Sequence, residues 1–435
     1  MNVEYAIDYN GQTYEQIVGI IRYSDDGTVI QDEVLNNDSI EVLSFKSDMR
    51  VPYLTGMVAY RDRSVEGIQN SLQDGYTHLV VTLTHYDGYD ILETISHIFV
   101  VTNIKLIDKE EYLFQFDMKS IYWFLFNNFE EYASIDKGEK YTKMVKDITS
   151  SIGFGNRISH VEETNNIGDF SSTVNSTTYE TIDELLDLSA NEDQGFFYLQ
   201  YDFTVDKFNI HSIKSIYDYL DDVSKSSNYY ILMTDEHKNS SDQASMWNFV
   251  SESEFSFKDY INALKEFRTH SFSYDDKGWT SKSYGINNIQ TFMPPIADPK
   301  LFKRFVKPLP NLYNDRVVVQ QELDSIDNSS YLKQLRDLFL YTNYSVVTSA
   351  GHLYRKGGDL GLVDAMDESP LRDKYAGLWF IIRVNHVFDG KEKIYSNIIE
   401  VSRAEYLKDL DKVKVTKDTE SFAGLGGESD FSTTA

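Results

Sequence analysis

The sequence predicts an α+β fold, mainly antiparallel β, with two similar β-modules near its ends and smaller α+β parts between them. Two observations carry that expectation. The first is an order of elements that occurs twice: a Gly/Asp turn, an apolar strand, a variable stretch and then a hairpin. The second is the composition, with 31 Tyr and 26 Phe against only 7 Pro in 435 residues, a balance that favours strands and large buried or interfacial contacts.

In the first copy, Asp74-Gly75 leads into the alternating apolar run Leu79–Leu83. A strand from Ile98 to Leu106, a charged turn at Asp108–Glu111 and a return strand from Tyr112 to Met118 follow. Ile98, Val100, Ile104 and Leu106 are expected on one face, answered by Tyr112, Phe114, Phe116 and Met118. In the second copy, Gly357-Gly358-Asp359 leads into Leu360–Val363. Then come a strand from Leu378 to Phe388, a turn at Asp389–Lys393 and a return from Ile394 to Arg403. Here Phe380, Ile382, Val384 and Phe388 share a face, with Arg383 and Asn385 on the other. Alternation with period two between Asp/Gly/Lys turns is the pattern of half-buried antiparallel strands.

Residues 1–125 read as mostly β, with turns at Asp8–Gly11, Asp25–Gly27 and Asp87-Gly88. A helix follows from Tyr141 to about Ile152, with Met144, Val145 and Ile148 on one face and Gly153 as its stop. A polar loop is expected over Glu162–Thr178. Next, Ile182, Leu185, Leu186 and Ser189 fall at helical spacing, with Asp183 and Glu184 in the first turn and Gly195 as terminator. Phe196–Tyr201 and Lys207–His211 form a hairpin around Val205-Asp206. Between about 225 and 325, Ser224–Asn228 and Asn239–Asp242 read as loops and Phe255–Phe267 as helical, and Met293-Pro294-Pro295 breaks regular structure. Ser329 or Ser330 caps a helix from Tyr331 to about Tyr341, with Leu332, Leu335 and Phe339 buried. The tail Asp418–Ala435 has no Lys or Arg and reads as disordered, with Phe422 and Phe431 as candidate partner contacts. The division expected is 1–125, 126–230, 231–325, 326–410 and 411–435.

A net charge of −28, from 41 basic and 69 acidic residues, argues against general nucleic-acid binding, which needs Lys and Arg on phosphates. The absence of cysteine excludes disulfides, thiolate metal sites and a Cys nucleophile. The first residues, Met1–Asp8, have neither a basic nor an apolar signal region, and no run approaches the roughly 20 apolar residues of a membrane span. A soluble, cytoplasmically made protein without a membrane anchor is expected.

Chemistry-bearing patterns are absent. The nine histidines form no HExxH pair and no zinc spacing. His386 lies beside Val384 and Phe388 and reads as a core or interface histidine. Gly153-Phe154-Gly155 lacks the third glycine of a dinucleotide loop, and Asp275–Trp279 lacks the ligands of a calcium loop. No Walker A loop or GxSxG elbow occurs. No catalytic, metal or cofactor residue is assigned.

The second module, from Gly351-His352-Leu353-Tyr354-Arg355-Lys356-Gly357-Gly358-Asp359-Leu360 through Leu378–Phe388 to Tyr395–Arg403, resembles the second tube-like barrel of the baseplate hub proteins of contractile-tailed phages. These are related to the base of type VI secretion spike proteins. Ser47-Asp48 and Val51-Pro52-Tyr53 ahead of Asp74-Gly75 resemble the family's first barrel, and Thr181–Leu188 followed by Gly195–Tyr198 resembles the α+β domain between. The likeness covers about two thirds of the chain as an order of elements; 225–325 and the C-terminal tail depart from it. It implies two tube-like β-barrels per chain and a homotrimer whose six barrels meet a hexameric tail tube, with a trimeric spike opposite. It also implies other baseplate proteins as partners, a place in the virion tail, and genomic DNA as transient cargo in a central channel. Acidic groups along that channel would keep DNA from sticking. The rival expectations are a tail-associated peptidoglycan or glycan hydrolase and a receptor-binding module.

Overall fold

The computed structural model describes residues 6–7, 13–24, 26–62, 76–87, 90–128, 134–172, 175–191, 193–218, 229–232, 246–252, 266–273, 278–284, 313–318, 344–365 and 377–402. The expected turns at Asp8–Gly11 and Asp74-Gly75, Gly88, Asp275–Lys277, the Ser329/Ser330 cap, the Tyr331–Tyr341 helix, Met293–Pro295, both loops read near 224–242, Arg403 and the tail with Phe422 and Phe431 lie outside the described residues.

The N-terminal strands are β1 (Ala6–Ile7), β2 (Thr13–Tyr23), β3 (Val29–Val34), β4 (Ile40–Asp48), β5 (Thr55–Arg61), β6 (Tyr76–Asp87), β7 (Asp90–Asp108) and β8 (Leu113–Ser120). Five shorter strands follow: β9 (Ser134–Lys140), β10 (Ile158–Val161), β11 (Ile167–Ser171), β12 (Phe197–Asp202) and β13 (Lys207–Ser212). The remainder are β14 (Tyr229–Leu232), β15 (Met246–Glu252), β16 (Glu266–Ser273), β17 (Gly278–Tyr284), β18 (Tyr313–Val318), β19 (Tyr344–Ala350), β20 (Leu360–Ala365), β21 (Gly377–Asp389) and β22 (Ile394–Ser402).

One sheet of 14 strands dominates, in the order β1-β22-β19-β15-β14-β20-β21-β4-β5-β8-β7-β6-β2-β3, with β1–β2 and β21–β22 also paired. The N-terminal run β4-β5-β8-β7-β6 has its counterpart in β15-β19-β22-β21-β20, and every successive pairing in both runs is antiparallel. The likeness ends at the next strand, where β2–β6 is antiparallel and β14–β20 is parallel. The duplicated strand order read from the sequence is therefore present, and β4 pairs with β21, which joins both runs into one sheet. In the second run the order β22-β19-β15-β14-β20-β21 returns to β22 through the β21–β22 ladder.

The hairpin turns match in detail. Asp108 Oδ1 accepts the N–H groups of Glu110 and Glu111 at 2.8 and 3.2 Å, and Asp389 Oδ1 accepts those of Lys391 and Glu392 at 2.9 and 3.0 Å. Each turn ends on a left-handed residue, Tyr112 (φ 52°) and Lys393 (φ 54°), so Tyr112 belongs to the turn and not to the return strand. The predicted face of the second copy holds: Phe380, Ile382, Val384 and Phe388 are buried, while Arg383 and Asn385 are only half-buried. In the first copy it does not. Val100 is buried as expected, but so is Phe99, while Ile98 and Leu106 are exposed; Leu106 lies opposite buried Phe114, near the end of β7. Phe114, Phe116 and Met118 are buried as expected.

Between the runs, the Tyr141–Thr149 helix buries Met144, Val145 and Ile148 and passes through an irregular turn to Gly153 at φ 96°. The Thr178–Ser189 helix opens on a capping box, with Thr177 and Glu180 bonding each other's backbone N–H. Glu180 is thus the first-turn acid, and Asp183 and Glu184 lie further along. Asn191 and Gly195, not the helix end, form the bridge that starts the β12–β13 hairpin. The loop expected over 162–178 contains β11, which pairs with β9. Glu266 and Phe267, read as helical, lie in β16 of a separate three-stranded sheet. One apolar cluster runs from Tyr14 through Met144, Leu185 and Phe208 to Phe388 and Tyr395, so the central helices and both runs share a core.

That sharing makes the Gly357 turn sensitive to volume. A Cβ at Gly357 would sit 2.5 Å from the Met49 nitrogen and 2.7 Å from the Ile382 oxygen, both backbone atoms. Gly357→Ala is expected to lower stability by about 1–3 kcal/mol, read as a fall in the denaturant midpoint; an unchanged midpoint contradicts this packing.

Candidate functional site

The seam between the runs is built from β4 and β21, paired from Arg383↔Asp48 to Asp389↔Val42. At one end Asp48 receives Arg383 Nε at 2.8 Å and Arg50 at 2.6 Å, and Arg383 extends to Glu400 on β22 at 2.6 Å. Burial alone would raise the Asp48 carboxyl, but hydrogen bonds from Arg50 and Arg383 together hold it below the usual carboxylate range.

Beside this end, the Gly357-Gly358-Asp359 turn joins three parts of the chain. Gly357 N–H donates to Ser47 Oγ at 3.2 Å, and Met49 N–H donates to the Ile382 carbonyl at 2.9 Å. From β12, Tyr198 Oη donates to the Gly358 carbonyl at 2.7 Å, and Gln200 Nε2 donates to the Gly357 carbonyl and to Asp359, each at 2.9 Å. Lys356 pairs with Asp202, and although burial lowers its affinity for a proton, Asp359 and Asp202 raise it overall. Gly358 adopts φ 91°, a region that side chains other than glycine rarely enter.

At the seam's other end the two hairpin turns lie on a common rim. Glu41 of β4 accepts from Arg61, Arg61 also reaches Glu111 of the first turn at 2.5 Å, and Lys391 of the second turn lies 3.3 Å from Glu41. Gly390 N–H donates to the Glu41 carbonyl at 2.8 Å. A chain of alternating charge, Glu111–Arg61–Glu41–Lys391, therefore connects one turn to its counterpart. Desolvation would raise Glu41, yet Arg61 and Lys391 bring it below its ordinary value.

Under the seam sits a buried polar cluster. His386 stacks on Phe45 of β4 with centroids 4.6 Å apart, and Phe203 from the β12–β13 turn meets both rings edge-on at 5.2 and 5.6 Å. His386 Nε2 lies 3.0 Å from the Arg355 carbonyl, which only accepts, so the proton is on Nε2. Nδ1 then accepts from Tyr395 Oη at 2.7 Å. Arg355 Nη1 donates to Ser349 Oγ, the Ala350 carbonyl and Asn397 Oδ1 at 2.7, 2.7 and 3.0 Å. Burial pushes His386 and His352 down to about 3, and His97 and His211 down to about 4.

The reading of His386 as a core or interface histidine holds. Arg355, fully buried, has no counterpart in the sequence reading; the small-residue turn and nearby Ser349 and Asn397 were the available signal. Gly153-Phe154-Gly155 ends a helix, and Gly278-Trp279 begin β17. These polar groups act as fasteners, since they spend their hydrogen bonds inside the protein.

No protein-family model matches the sequence, and no curated protein matches it. Among solved structures, the tail protein from Neisseria meningitidis MC58 aligns at TM-score 0.52 and 11% identity, over 90% of this chain and 98% of that one. This chain shares the fold of that tail protein. The PdpA–VgrG complex of Francisella, in its lidded form, aligns at TM-score 0.49 and 13% identity over 90% of this chain, which spans 53% of the matched chain. The 43 kDa tail protein of prophage MuSo2 from Shewanella oneidensis aligns at 0.49 and 11%, over 90% and 99%. No helix among the described residues is long and apolar enough to cross a membrane.

Two outcomes follow from the seam's electrostatics. Arg383→Met is expected to cost about 1–3 kcal/mol in chemical denaturation, because it strips charged hydrogen bonds from Asp48 and Glu400; a loss no larger than that of Lys105→Met, whose ion pair with Asp117 is exposed, contradicts it. The four depressed histidines stay neutral when folded but take protons near pH 6.5 when unfolded. Their contribution is present above pH 6.5 and is lost as pH falls toward 4, by at most about 1.4 kcal/mol per pH unit for each group. Melting temperatures that stay flat from pH 7 to 4.5 contradict this.

Proposed function

We propose that this chain is a structural adaptor of a phage tail, a baseplate hub that acts without catalysis. Three copies form a ring in which each chain supplies two similar β-modules, each completed as a tube-like barrel. The six modules face a hexameric tail tube, and the threefold face of the same ring receives a trimeric spike. Other baseplate proteins contact its periphery, and the protein resides in the virion tail after synthesis in the host cytoplasm.

The observation that carries this reading is the repeated strand order, with both hairpin turns on one rim and tied through Glu41. A ring of six similar units built from three chains needs such a duplication, with both units presented in the same direction. The shared fold with a tail protein adds weight. Support for barrel closure in the second run comes from β22, which pairs with β21 as well as β19. The acidic excess of −28 fits a channel that lets DNA pass as transient cargo without retaining it. Phe422 and Phe431 are the aromatic contacts of a C-terminal tail that orders on a partner.

Light scattering on the purified protein is expected to return three times the 50.3 kDa chain mass. A mass of one chain at every concentration, together with cleavage of cell-wall glycan or peptide, favours a tail-associated hydrolase instead. Binding of glycans by a single chain favours a receptor-binding module.

A further inference from the structure

The N-terminal run carries an apolar surface that the core leaves half covered. The helix Ile121–Phe126 reads Ile-Tyr-Trp-Phe-Leu-Phe, and a helix that is apolar on all sides belongs where something covers every side. Tyr122 and Phe126 are buried, whereas the Trp123 and Phe124 rings, edge-on at 4.7 Å, stay half-buried and outside the shared core cluster. Ile121 is 39% exposed. On β7, Phe99 pairs with Ser120, so Ile98, 46% exposed, neighbours Ile121 and extends the patch. Lys119 Nζ lies 3.8 Å from the Trp123 ring centroid, and no carboxylate among the described residues pairs with it. The result is an apolar patch with a cation at its edge, a combination that marks an interaction site.

The chain's own C-terminal segment suits this surface in reach, in charge and in side chains. The described chain ends at Ser402, which faces Phe380 across the β21–β22 ladder. Phe380 meets Tyr198 of β12 at 6.2 Å, and Tyr201 of the same strand meets Tyr122 of the helix at 5.1 Å. Ser402 and the patch are therefore within roughly 40 Å of each other, while the stretch from Ser402 to Phe422 extends to about 65 Å. Asp418–Ala435 holds Asp418, Glu420, Glu428 and Asp430 but no Lys or Arg. A protein of net charge −28 repels such a segment over most of its surface, and the edge held by Lys119 is an exception. Phe422 and Phe431 supply the apolar rings that would complete the cover of Trp123 and Phe124.

We propose that the segment Glu420–Phe431 docks on the helix Ile121–Phe126 of its own chain, with Phe422 and Phe431 against the patch formed by Trp123, Phe124, Ile121 and Ile98. The contact lies within one chain and does not depend on the trimeric reading. It shields an apolar surface in the free protein and holds both phenylalanines until a partner takes them. A tether makes even a weak contact effective, because the joined segment is always present at high local concentration.

The chain has no cysteine, so introduced thiols report on this contact alone. The full-length double variant Ile121→Cys/Ser421→Cys, treated with a short bismaleimide linker, is expected to give a product that is still one chain on a denaturing gel, with both thiols consumed. Adding Phe422→Ala and Phe431→Ala is expected to slow its formation by about tenfold, the effect of losing roughly 1.4 kcal/mol of contact. Ile98→Cys/Ser421→Cys, from the neighbouring strand, is expected to behave alike and keeps the test decisive where Ile121→Cys folds poorly. Two results overturn the docking. A rate that the alanines leave unchanged in both pairs means that the segment is a free tether. A product that joins two or more chains assigns the patch to another copy's tail. Either leaves the hub reading standing, since the mass of the native assembly tests that separately.

Discussion

Asp48 and Arg383 face each other across the one ladder that makes the two runs a single sheet, and the orientation of everything else follows from that contact. The β4–β21 ladder has a set register because several independent restraints act on it. Asp48 is clamped between Arg50 and Arg383, Gly357 fits only without a side chain, and Phe45 stacks on His386. A slip by one residue would turn Phe45 toward solvent and place Lys46 against His386, so burial on one face enforces the pairing. With the register fixed, the two hairpin turns cannot point in different directions. The Glu111–Arg61–Glu41–Lys391 chain then reinforces a rim whose geometry the seam has already set.

The groups under the seam serve rigidity. His386 is held in one tautomer by an acceptor on Nε2 and a donor on Nδ1, and Arg355 binds to carbonyl, hydroxyl and amide oxygens. Buried hydrogen-bonded networks of this kind favour one packing arrangement, because alternatives take from their polar groups the partners they have here. The central α+β part contributes through Tyr198, Gln200 and Phe203, so it acts as a wedge against the turn at Gly357. The proposed adaptor role requires two faces held in a fixed relation, and this arrangement is of the kind that role needs.

Much of the local structure could be read from the sequence. Both hairpins, the Asp-led turns, the helix faces around Met144 and Leu185 and the interior place of His386 follow from period, turn chemistry and apolar spacing. The failures have physical causes. Ile98 and Leu106 were placed inward from alternation alone, which does not show which positions along a long strand have an element packed over them. β9 and β11 were missed because Ser134–Lys140 and Ile167–Ser171 are short and polar, and they are strands through pairing with each other. The seam itself joins residues more than 300 positions apart, and no local pattern encodes such a partner. Its ingredients were visible as Ser47-Asp48 and Arg383, but their meeting was not.

Averaged images of the purified assembly viewed down its symmetry axis test the central claim most directly. If the two runs of each chain occupy equivalent places around one ring, the rotational power spectrum has a strong sixfold component over a threefold one at low resolution. A spectrum with threefold power alone, or with the two runs at different radii, contradicts the account.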